Sequence, residues 1–236
     1  MVGKPGTRLP ACKKIFGSFS LFNIKQPFTV LMIAFKKMPA QEFIKLAKYL
    51  YVLSIRYNVI CHHSPNEQES LYNKIAIKIF QGEYTRASHV KNSEEFKKLY
   101  PDDNTFSNAF EYHKMPSRRS SMKIRFLLSE IESHSGNETD YTKTTLEHIC
   151  PYNPEQNWHE YFGPGVNDIQ DRLGNVILLK KDELKRYSFD QKKEFYKKSP
   201  FKLAQKIAEY KEWNLQNLND YQAWLGQKAA AAWRVG

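Results

Sequence analysis

Between Gly136 and Asp140 the chain changes its hydrophobic period, and that change constrains the fold more than any other feature. Before it, apolar residues recur at helical spacing. Phe43, Leu46, Ala47, Leu50, Leu53 and Tyr57 line one face, and Ile124, Leu127, Leu128 and Ile131 line another. Between those helices, Ser64-Pro65-Asn66-Glu67 predicts a capping box and a helix to about Phe80, stopped by Gly82. Asn92 and Glu95 start a short piece that Pro101 ends, and Asp103 to His113 reads as a further helix bounded by Pro116. After Asp140, β-branched residues predict a strand from Thr142 to Ile149 and a second from Asn175 to Leu179. Pro151, Pro154, Gly163, Pro164 and Gly165 predict a long ordered loop between them, pinned by Trp158, Tyr161 and Phe162. Ser188-Phe189-Asp190-Gln191 is a second capping box, opening a helix to about Lys198. A last helical region runs from Phe201 to Trp233 with a break near Asn217. The expected organisation is a leader over 1–26 with no clean period, an all-helical domain over 27–138, and a mixed domain over 139–236.

Composition narrows the class. Hydrophobic residues make up 41% and aromatics 14%, enough for a core and against wholesale disorder. The longest apolar run, residues 27–35, is far short of the ~20 residues a membrane span needs. Cys12, Cys61 and Cys150 are scattered without a CxxC pair, which argues against a disulfide scaffold and a Cys-type zinc site. That usage fits a cytoplasmic protein. Asn23 and Lys25 interrupt the apolar stretch after the early lysines, which argues against a signal peptide.

The densest chemistry is Leu146-Glu147-His148-Ile149-Cys150-Pro151. A carboxylate and an imidazole stand side by side where Pro151 forces the chain off its strand. Strand neighbours point to opposite faces, so the two share a site only where the strand twists or ends. Asn175 starts the second strand, and its amide can hold an imidazole or a loop. Asp182 and Glu183 come shortly after that strand. These groups around a two-strand-plus-helix unit suit a divalent ion with few protein ligands and open positions for phosphate oxygens. A neutral His148 opposite it can deprotonate the attacking water. His62 and His63 read as loop residues, and His89, His113, His134 and His159 are isolated.

Charge supports that site. The chain carries 36 Lys+Arg against 25 Asp+Glu, a surplus of 11, with a pI near 9.4. From Lys180 to Lys211 there are eleven basic and five acidic residues, a surplus of six in 32 positions. Lys180, Lys181, Lys185, Arg186, Lys192, Lys193 and Lys197 are the candidate contacts to double-stranded DNA.

The strings TTLEHICP, RLGNVILL, SFDQKKEFYKKS and AWLGQKAAAAW, in that order, resemble the C-terminal nuclease domain of GmrSD-type restriction proteins. RYNVICHHSPNEQESLYNKIAIKI is similar to the helical linker ahead of it. The resemblance covers roughly residues 26–233 and implies a His-Asn-His (HNH-like) ββα-metal nuclease core. The expected fold is thus α+β and mostly helical: an N-terminal helical bundle, the ββα-metal core, then C-terminal helices. By position, the resemblance implies His148 as general base and Glu147 as a metal ligand. It implies Asn175 as the residue bracing the fold and the active loop, and Lys192 and Lys193 as phosphate contacts. It further implies Mg2+ or Mn2+ and action on foreign or modified phage DNA. Two departures stand out. Leu184 occupies the position of the usual metal-ligating Asn, leaving Asp182 or Glu183 as substitutes after a small register shift. The Asp-Gly-Gln-Gln-Arg motif of the usual N-terminal nucleotide-linked domain is missing, which implies a separate domain or partner chain. The alternatives are a catalytically weakened nucleic-acid-binding or regulatory module on the same fold, and a protein-interaction scaffold built on the helices.

Overall fold

The computed structural model describes residues 12–154, 156–180 and 187–236. It is mostly helical with one two-stranded sheet, an α+β arrangement. The chain divides into two compact units, residues 1–106 with 233–236, and residues 107–232.

Among its described residues the first unit contains helices and no strand. Its elements are α1 (Lys13–Phe22), α2 (Phe28–Lys37), α3 (Ala40–Ser54), a π-helical turn (Ile55–Ile60), α4 (Pro65–Gln81), α5 (Ala87–Lys91) and α6 (Glu94–Leu99). Residues 13–22, within the stretch expected to have no clean period, form a helix. Ile15 and Phe19 fall on one face of α1 and are buried, and Asn23, at φ 56°, caps the helix in the left-handed region. Ser64 begins α4, but its side chain makes no capping bond, so the expected box is absent there and Pro65 alone sets the start. Arg56, fully buried in the π-helical turn, donates from Nε to the Trp233 carbonyl at 2.9 Å and from Nη1 to the Pro101 carbonyl at 3.2 Å. Asp103 neutralises it, and its guanidinium lies 4.7 Å from the Tyr100 ring centroid.

The division falls inside α7 (Asp103–Glu111), well ahead of the boundary expected at 138/139. The physical reason is α8 (Ser117–His134), which is tied to segments later in the chain. Arg125 Nη1 donates to the Thr144 carbonyl at 2.6 Å. The buried Glu132 carboxylate accepts the amides of Lys202 at 2.5 Å and Leu203 at 3.0 Å, capping α11 (Lys202–Ile207) at its positive end.

The second unit carries the sheet. β1 (Thr145–His148) pairs antiparallel with β2 (Val176–Leu179), Glu147 opposite Ile177 and His148 opposite Val176. Both strands are shorter than the pattern predicts, because Tyr141–Lys143 forms a 3₁₀ turn under an Asp140 cap and Asn175 closes another. The loop between the strands contains helix α9 (Gln156–Phe162), since Trp158 and Phe162 at i, i+4 spacing both reach the core. Tyr161 instead stands 43% exposed and does not pin it. Helix α10 (Phe189–Lys198) starts with the full Ser188–Gln191 capping box. The C-terminal helix α12 (Leu215–Ala232) is separated from α11 by residues 208–214, earlier than the break expected at Asn217.

Gln222 on α12 connects the unit. Its Nε2 donates to the carbonyls of Phe110 (2.8 Å) and His113 (3.1 Å). Its Oε1 accepts from Arg172 Nε (3.0 Å) and the Gly174 amide (3.2 Å). Gly174 lies so close that an added Cβ would sit 2.8 Å from the Gln222 Cβ. Gly174→Ala is therefore expected to lower stability by about 1–3 kcal/mol through overpacking, read as a lower urea midpoint with an unchanged m-value.

Candidate active site

His148 ends β1, and the next two residues are clamped from two sides. On one side stands Asn175, fully buried. Its carbonyl accepts the Ile149 amide (2.9 Å), its Oδ1 accepts the Cys150 amide (2.9 Å), and its Nδ2 donates to the Cys150 carbonyl (2.9 Å). The side chain thus extends the ladder by one rung after the backbone pairing stops. Trp213 Nε1 adds a longer bond to the same Oδ1 at 3.4 Å.

On the other side stands Lys192 from α10, 1% exposed. Its ammonium donates to Glu147 Oε1 at 2.5 Å and to the carbonyls of His148 (2.6 Å) and Ile149 (3.1 Å). Three donors meet three acceptors, which is the full capacity of a lysine. Burial lowers the Lys192 pKa and the Glu147 carboxylate opposes that shift. Sequence reasoning set Lys192 against phosphate. The structure places its charge inside, on the strand end. Tyr196, one turn on, is fully buried, and its hydroxyl has no partner among the described residues. Burial and then the charge of Glu147 hold that phenol well above its ordinary pKa.

His148 is half-buried, and its Nε2 is buried without a hydrogen-bond partner among the described residues. Burial, and then the Lys192 charge, bring its pKa down from the ordinary 6.5 to about 4, while Asp171 acts the opposite way. The imidazole is therefore neutral at pH 7, with one of its two ring nitrogens carrying a lone pair. Its ring lies 4.6 Å from that of Tyr152, whose hydroxyl donates to Asp171 Oδ1 at 2.5 Å and is 2.9 Å from Ser117 Oγ. Tyr152, Asp171, Ser117 and Trp213 were missed by pattern reading. The one local signal was that Tyr152 directly follows the proline ending the strand.

Among the described residues no three His, Cys, Asp or Glu side chains gather as a metal-ligand set. Glu147 supplies one hard carboxylate at the strand end, held by Lys192, and Nε2 of the following residue, His148, has no hydrogen-bond partner among the described residues. A carboxylate of this kind is a hard oxygen donor that suits a divalent ion keeping several waters. Asp182 and Glu183 lie outside the described residues, as do Lys181, Leu184, Lys185 and Arg186. Of the remaining expected DNA contacts, Lys180 is exposed, Lys193 lies 5.7 Å from the Phe189 ring centroid, and Lys197 is exposed and paired with Glu194 at 2.6 Å.

The strand end clamped by an amide and an ammonium carries a carboxylate and, on the next residue, a neutral imidazole. Residues 100–228, more than half of the chain, match the model of the GmrSD restriction endonucleases, C-terminal domain, and the chain belongs to that family. No curated protein matches it.

The clamp has two measurable effects. Lys192→Met removes the ammonium opposite a nearly buried Glu147, so a loss of about 3–5 kcal/mol is expected in urea unfolding. In Glu147→Gln/Lys192→Met much of that loss returns. The second effect concerns acid. The unfolded imidazole takes a proton near pH 6.5 and the folded one only near 4, so acid favours unfolding between those values. The stability contributed by neutral His148 is full above pH 6.5 and drains away as pH falls to about 4. His148→Gln is expected to show a shallower loss of urea midpoint across that window.

Proposed function

We propose that this chain hydrolyses phosphodiester bonds in double-stranded DNA, with His148 taking the proton of the attacking water. The observation that carries this reading is a neutral His148 at the strand end, directly after Glu147 in the chain, whose Nε2 has no hydrogen-bond partner among the described residues. Two strands and α10 around that pair support an HNH-like ββα-metal core, with the helices of residues 12–106 as a bundle ahead of it. Membership of a restriction endonuclease family supports DNA as substrate, with foreign or modified DNA as the proposed target.

Glu147 would hold Mg2+ or Mn2+, with Asp182 or Glu183 supplying further oxygens. When bound, the ion supplies charge for the phosphate oxygens and the leaving alkoxide. The rest is the work of the chain. Lys192 fixes the Glu147 carboxylate and the carbonyls of the next two residues. Asn175 holds the loop so that the imidazole stays at the strand end. The pKa of about 4 makes His148 a weak base in the free protein. A bound phosphodiester brings negative charge beside it and, like Asp171, raises that pKa toward the value a proton acceptor needs. Lys180, Lys193 and Lys197 would steer and hold the backbone without reading sequence.

Leu184, at the position where the resemblance implies a ligating Asn, favours a second reading: a weakened nuclease fold that binds nucleic acid without cutting it. Supercoiled plasmid incubated with Mg2+, Mn2+ or EDTA separates the two. The expected result is metal-dependent nicking that falls about 10²–10⁴-fold in His148→Ala. Full activity in that variant overturns the assignment of the base. Salt-sensitive binding without cleavage by any metal establishes the second reading.

A further inference from the structure

We propose that Tyr152 is the positioning residue for the His148 imidazole, locked in place by Asp171 and Ser117. The proposal rests on the reading of His148 as proton acceptor. Its basis is the geometry around one aromatic ring.

Nε2 of His148 has no hydrogen-bond partner among the described residues, so no bond from them orients the imidazole at that nitrogen. What faces the imidazole is Tyr152, with ring centroids 4.6 Å apart and planes inclined by 54°. The turn imposed by Pro151 brings the tyrosine back against the strand end it has just left. The tyrosine cannot easily move. Its hydroxyl carries one proton, which goes to Asp171 Oδ1 at 2.5 Å, so the Ser117 hydroxyl at 2.9 Å is the donor in the second bond. Its carbonyl accepts from Gln170 Nε2 at 2.8 Å. The Arg118 guanidinium stands over the ring, 5.0 Å from its centroid.

The partners are themselves fixed. The Asp171 carbonyl accepts the Met115 amide at 2.7 Å, beside the antiparallel bridge of Lys114 with Arg172. Ser117 begins α8 and is buried. The tyrosine is thus held by two segments, 114–118 and 170–171, that lie outside the ribbon carrying His148. A tyrosine whose only task was to pin its loop would need the hydroxyl bonds. It would not need its ring against the imidazole. The ring contact limits the rotation of the imidazole about its terminal torsion, which is otherwise broad. A nitrogen lone pair kept on one heading is what proton transfer requires.

The test uses the full chain. Imidazole 1H–15N spectra at pH 7, with the His148 signals assigned through His148→Gln, need neither metal nor DNA. The wild type is expected to show one neutral tautomer with sharp signals. Tyr152→Leu removes the ring and is expected to average or broaden them. Tyr152→Phe keeps the ring, loses both hydroxyl bonds, and is expected to lie between. In single-turnover plasmid nicking with Mg2+, Tyr152→Leu is expected to lower the cleavage rate constant about 10–100-fold with DNA Kd within about twofold, and Tyr152→Phe to recover much of it. His148 signals unchanged in both variants overturn the proposal. So does a loss confined to Kd. If Tyr152→Leu does not fold, Asp171→Asn and Tyr152→Phe carry the same comparison. A wild type without nicking refutes the nuclease reading, while the spectra still decide whether Tyr152 orients His148.

Discussion

One buried ammonium holds the candidate site together. When β1 stops at His148, two carbonyls and a carboxylate are left at its end, and Lys192 satisfies all three. The alternative, an unpaired carboxylate and two unpaired carbonyls in a nearly dry setting, would cost several kcal/mol. The lysine reaches them only because Ser188 and Gln191 start α10 at the right residue. The same charge helps keep His148 neutral, so one group serves both the shape and the protonation of the site.

Much of this was legible in the chain. Helical spacing marks α3, α4 and α8, and the second capping box marks α10, because those signals depend only on neighbours within one turn. The pair Glu147-His148 stands out because a strand-ending proline comes just after it. The rest depends on partners far along the chain. Nothing local to Lys192 says that its charge is turned inward, since that depends on a strand 44 residues earlier. Tyr152 gains its surroundings from Ser117 and Asp171, which pattern reading leaves in a helix start and a loop. The boundary near residue 138 marks a real change of period. Compactness divides the chain elsewhere because Glu132 and Arg125 tie α8 to the sheet and to α11.

Family membership and geometry bear on different questions. The family says what kind of reaction the fold has been used for. The geometry says which groups stand together at the strand end, and it separates cations that look alike in sequence. Lys192 and Lys193 are neighbours, yet one is a buried brace and the other is partly open to solvent. Counting basic residues along α10 overstates the charge that DNA would meet.

The bonds of Gln222 have a consequence for the timing of assembly. Arg172 and Gly174, which lead into Asn175 and β2, are held by a side chain on the C-terminal helix. Trp213, which touches Asn175, also comes late in the chain. A nascent polypeptide therefore carries Glu147 and His148 out of the ribosome long before the groups that brace them. Until residue 222 has emerged the ribbon lacks its support, so any cutting activity would be withheld up to that point of synthesis.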